Sequence, residues 1–227
     1  MTEKKDHTGS HGDHMKRIIE FFRNHGGYAR MKDLKAASFQ TRDIGHLVKE
    51  GSIVKVKPGL YKLANVGSGK ITLPALRAHG TGSVISEGIM DVSRAIPEGV
   101  ICLISALEFH GLTTFNPSEI YVAIPNDRKI PKINYPPIKV FYFRHRFYKP
   151  GIESIPTSHA TVKVYNKEKT VCDMFRYRSK LGEDLALEGL RNYLNRKDAD
   201  VTKLREYASI CRVKTSMMPY LKALVAR

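Results

Sequence analysis

Arg42, His46 and Lys49 recur every three to four residues, so a helix over this stretch would carry all three on one solvent face. A guanidinium there can make paired hydrogen bonds to a guanine edge, and an ammonium can neutralise phosphate. Thr41 stands just ahead of them, and Lys55, Lys57 and Lys62 follow in a β-rich stretch with a Lys57-Pro58-Gly59 turn. These side chains suit contact with a polyanion better than bond-making chemistry. Thr41, Arg42, His46 and Lys49 are the candidate readers of a duplex, and Lys55 and Lys57, with Lys62 behind them, the candidates for its backbone.

Elements that could hold such a face are legible around it. Ile44, Leu47 and Val48 fall on the opposite side of the same helix, for which Thr41 is the expected N-cap and Gly51 the expected stop. Ser52 to Val56 and Leu60 to Leu63 read as two strands of a hairpin. Upstream, Met15, Ile18, Ile19 and Phe22 predict a helix over 15–24 ended by Gly26-Gly27, with a brief strand at 28–31 and a short helix around Leu34 and Ala37. Three helices and a hairpin make the pattern of a winged helix-turn-helix, whose third helix enters the major groove while the wing follows the phosphates.

Composition points the same way. Lys and Arg number 38 against 22 Asp and Glu, a formal charge of +16, which favours nucleic acid as partner ahead of an acidic membrane surface. The three cysteines, Cys102, Cys172 and Cys211, are far apart and suggest neither a zinc site nor a disulfide framework. No apolar run is long enough to span a bilayer, and the N-terminus lacks the pattern of a signal peptide, so a cytoplasmic protein is expected. His7, His11 and His14 lie in a polar stretch with no cysteine or carboxylate framework; residues 1–14 are expected to be a disordered tail, and no metal or other cofactor is predicted.

Residues 65–70 have linker composition, which leaves 71–227 for a second domain. A helix is expected over 86–95, a buried one over 100–110 with His110 bonding its last carbonyls, and strands at 119–124, 139–143 and 161–165. Four further helices should follow, the first capped by Asn166 and the third by Asp200. The predicted class is α+β: a winged helix-turn-helix followed by a mixed α/β domain with a small sheet and a helical C-terminal third. Between 126 and 149, seven Lys/Arg stand against one acid, among Tyr135, Phe143, Phe147 and Tyr148. That stretch is open to two readings, a sheet with its aromatics inward or a surface binding single-stranded RNA.

The segments EGSIVKVKPGLYKL (50–63), GVICLISALEFHGLT (99–113), EIYVAIP (119–125) and KVYNKEKTVCDMFRYRSKLG (163–182) resemble, in order and spacing, the AbiEi family of antitoxins from type IV toxin-antitoxin systems. The resemblance implies an N-terminal DNA-binding domain that represses its own operon, joined to a domain that counters a nucleotidyltransferase-like toxin without a stable direct complex. It assigns no chemistry to single residues of the second domain. A fused metal-dependent nuclease is the alternative, but it needs carboxylates on adjacent strands, and the predicted strands offer only Glu119, at the start of the first. Catalysis is therefore not expected.

Overall fold

The structure, a computed structural model, describes residues 8–64, 87–157 and 161–225. The chain divides into two compact units, residues 1–69 with 131–135, and residues 70–130 with 136–227. The expected linker at 65–70 lies outside the described residues.

The first unit runs α1 (Thr8–Asn24), β1 (Tyr28–Arg30), α2 (Met31–Ala36), α3 (Thr41–Lys49), β2 (Ile53–Lys57) and β3 (Leu60–Leu63). Its sheet is antiparallel in the order β1-β3-β2. Ile18 and Phe22 lie one turn apart on α1 and meet Leu34, Phe39, Ile44, Leu47 and Ile53 in a single apolar cluster. Pro58 and Gly59 make the hairpin turn, Gly59 at φ 78°, where a residue without Cβ is unstrained. A register shift between Lys55 and Lys57 bulges β2 as it reaches that turn.

Two local expectations fail here. The first helix starts at Thr8, so residues 8–14 are helical where a disordered tail was expected. His14 helps to hold that extension, with its Nε2 3.2 Å from the Asp43 carboxylate and its ring edge-on to Phe39. Thr41 is the first helical residue and not the cap. Gln40 holds the extended cap conformation, makes no side-chain cap bond, and accepts at its carbonyl from the Asp43 and Ile44 N–H groups.

The second unit runs α4 (Glu87–Ala95), β4 (Val100–Ile101), α5 (Leu103–Phe109), β5 (Ile120–Pro125), β6 (Ile138–Phe143), α6 (His145–Tyr148), β7 (Ile152–Pro156), β8 (Thr161–Tyr165), α7 (Lys167–Leu181), α8 (Glu183–Leu194), α9 (Val201–Ile210) and α10 (Lys214–Val225). Its mixed five-stranded sheet has the order β6-β5-β4-β8-β7. Tyr121, Ala123, Phe141, Phe143 and Tyr165 project from the strands into a core shared with Leu107, Phe175, Leu190, Tyr193 and Leu204. Asn166 and Asp200 cap α7 and α9 as the sequence predicts, accepting from the Lys169 and Lys203 N–H groups. The run 100–110 is a two-residue strand and a shorter helix, broken where Leu103 takes φ 51°.

Candidate nucleic-acid interface

The buried side of α3 is formed by Ile44 and Leu47, with Val48 half-buried, and this leaves Thr41, Arg42, His46 and Lys49 exposed on the other side. Arg42 is 82% exposed, its Nε 3.8 Å from Asp43 Oδ1, so its fork is only loosely tethered and free to meet an acceptor. His46 Nδ1 lies 3.2 Å from Glu50 Oε1. Sequence reasoning missed Asp43. Its carboxylate is buried at the start of α3 between His14 and Arg42, so it joins the first helix to the third and aims the basic face.

On the hairpin, Lys55 is exposed and Lys57 half-buried. Partial burial, and then the positive charge of Arg30, hold the Lys57 pKa below its ordinary value. Arg30 is a cation that the sequence reading did not assign. The register Arg30↔Leu60 places it beside the wing turn, so pairing the brief strand at 28–31 with the hairpin would have found it. A phosphate near Arg30 and Lys57 would relieve their mutual repulsion.

Lys62 does not join this surface. It is 7% exposed, and its ammonium lies 5.1 Å from the centre of the Tyr135 ring. Residues 131–135 belong to this first unit, and the Asn134 N–H donates to the Val56 carbonyl at 3.0 Å, so this distant segment covers part of the hairpin. Of the aromatics in the 126–149 stretch, Tyr142 on β6 and Tyr135 are exposed, and the others are committed elsewhere. Phe143 and Phe147 are buried and Tyr148 donates its hydroxyl to the Glu98 carbonyl, while Tyr135, though it stays about half exposed, carries the Lys62 ammonium over its ring.

Elsewhere, His110 does not bond its own helix's last carbonyls. Its ring is 3% exposed, and Nε2–H donates to the Tyr165 carbonyl on β8 at 2.6 Å, because the end of α5 points into the core and not to solvent. Glu119 precedes β5, while Glu153 stands on β7, a strand the sequence reading missed. Among the described residues no three His, Cys, Asp or Glu side chains gather as a metal site, and Cys102, Cys172 and Cys211 are buried free thiols. No helix among them is long and apolar enough to cross a membrane.

A three-helix unit closed by a β-hairpin, with a basic third helix and a lysine-bearing turn, has the architecture of winged helix-turn-helix regulators. Residues 16–64 match the family described as transcriptional regulator, AbiEi antitoxin. The match covers α1 from its ninth residue through the end of the hairpin. No curated protein matches the chain.

Proposed function

We propose that the chain is a sequence-specific DNA-binding repressor of its own operon and the antitoxin to a nucleotidyltransferase-like toxin. Residues 15–64 serve as the DNA-binding domain and 71–227 as the effector domain of a cytoplasmic protein. The observation that carries this reading is a coincidence of position. The stretch that matches the antitoxin regulators is the one that exposes Arg42, His46 and Lys49 on α3 and Lys55 beside them in sequence on the hairpin.

In this reading α3 lies in the major groove, with Arg42 offering paired donors to a guanine or, failing that, to a phosphate. Thr41, at the first helical position, and His46, one turn on from Arg42, reach neighbouring base edges or the sugar-phosphate rim. Lys49, Lys55 and Lys57 act as phosphate contacts, which fix register without reading sequence. The toxin is countered without a stable complex, and the chain catalyses no reaction itself.

Gel-shift titration of the duplex upstream of the chain's own gene, repeated at several salt concentrations, tests the first part. Saturable binding with a steep salt dependence, stronger than to scrambled duplex, is the expected result. Co-expression with the adjacent nucleotidyltransferase tests the second: growth should be rescued, while the two proteins fail to co-purify. Incubation with plasmid and magnesium or manganese tests the absence of catalysis, and metal-dependent cleavage would favour a nuclease instead.

A further inference from the structure

Four arginines of the second unit, far apart in sequence, come together at one corner of the fold. Arg144 caps α6 and Arg146 lies on it, Arg176 sits on α7, and Arg212 follows the end of α9. The guanidinium carbon of Arg146 is 4.5 Å from the centre of the buried Phe147 ring, and that of Arg176 is 3.5 Å from the same centre, so one ring holds two cations. Arg212 and Arg144 are close enough to press on Arg146 electrostatically. Among the described residues none of the four meets a carboxylate at ion-pair distance.

Two further features set this corner apart from an ordinary solvated surface. Arg176 Nη1 is sequestered from solvent and has no hydrogen-bond partner among the described residues. Arg212 takes φ 60° just past the helix end, a left-handed position where glycine or asparagine is at ease and arginine is strained. Like charges have been gathered and one donor left without an acceptor, and an arginine stands at the left-handed stop of α9, where its own N–H donates to the Ser209 carbonyl and the Val213 N–H to that of Ala208.

We propose that Arg144, Arg146, Arg176 and Arg212 form a binding site for a compact, multiply charged phosphate group, of the pyrophosphate or nucleoside polyphosphate class. Guanidinium forks match the paired oxygens of phosphate, and several converging cations suit a ligand that concentrates charge on a few atoms. A duplex is a poorer fit. Its stiff, convex backbone presents oxygens at the surface, whereas a small phosphate is the better fit to a recessed nitrogen such as Arg176 Nη1. Phe147, 3% exposed, is a platform for the arginines and leaves no ring face for a base, so recognition is of the phosphates.

This site is independent of the DNA-binding reading and can be tested apart from it. Isothermal titration of the full-length protein with sodium pyrophosphate and with ATP, at physiological salt, is the experiment. Arg146→Gln and Arg212→Asn should each weaken binding by about 10-fold or more, while Lys55→Gln in the first unit leaves it within about twofold. Asparagine accepts the left-handed backbone, so Arg212→Asn removes the charge without adding strain, and an unchanged thermal melt checks that both variants fold. Equal affinities for the two ligands identify free phosphate compounds as the source, and tighter ATP binding identifies nucleotides; either upholds the site. Absence of saturable binding by millimolar ligand overturns it, as does a loss produced by Lys55→Gln and not by the arginine variants. So does an arginine variant that weakens duplex binding while pyrophosphate affinity stays constant.

Discussion

Replacing His110 with glutamine should flatten the acid side of the protein's stability curve. Burial pushes the His110 pKa down to about 4, against the opposing pull of its hydrogen bond to the Tyr165 carbonyl; the charges of Lys167 and Arg196 add to the depression and that of Glu168 opposes it. In the unfolded chain the ring titrates near 6.5, so the folded state holds it neutral where the unfolded state would protonate it. Stability is therefore fully present above about pH 6.5, falls as the pH drops toward about 4, and loses nothing more from this group below that. The gap between the two values corresponds to about 3 kcal/mol in full and about 2 kcal/mol by pH 5. For a domain of this size that is a fall in Tm of roughly 4–8 °C between pH 7 and pH 5. Glutamine can keep a donor toward Tyr165 and does not titrate. Asp173 and Glu108, whose carboxyls burial pushes up, act in the opposite sense but are present in both proteins, so the difference isolates His110. Thermal unfolding of wild type and His110→Gln at pH 7, 6 and 5 is the assay. Parallel curves across that range would refute the assignment.

Asp173→Ala should destabilise the second unit by about 3–5 kcal/mol, because it strands the fully buried Lys169 ammonium between the Phe143 and Tyr165 rings with no counter-charge. Urea unfolding measures this, and a loss below about 1 kcal/mol would mean that the core relaxes to rehydrate the lysine. Lys57→Ala should weaken binding to every duplex alike and lower the salt slope by about one unit, read from binding isotherms at several ionic strengths. A sequence-dependent loss would move Lys57 from the phosphates to the bases.

Much of the first unit was legible because its signals are local. The inward set Ile44, Leu47 and Val48 and the Pro58-Gly59 turn each declare themselves within a few residues. Lys62 misled for the opposite reason. It lies on β3, the central strand of its sheet, and the cover over it comes from Tyr135, which no local pattern reports. Asp43 went unassigned because its partner His14 stands on another helix. In the second unit the helix caps at Asn166 and Asp200 were readable, whereas β4 was hidden in an apolar run that continues into a helix. The arginine corner depends on α6, α7 and the end of α9 folding together, so no spacing in the sequence encodes it.

The exposed basic face of α3 is the feature on which the regulator reading stands, and Arg42, 82% exposed and loosely paired with Asp43, is its candidate base reader. Affinities of wild type and Arg42→Ala should be measured at one salt concentration on the duplex upstream of the chain's own gene and on a scrambled duplex of equal length. The variant should lose about 1–3 kcal/mol on the first and far less on the second, so that discrimination shrinks by roughly 5- to 150-fold. Equal losses on both duplexes, or wild-type protein that does not distinguish them, would contradict sequence reading by this helix.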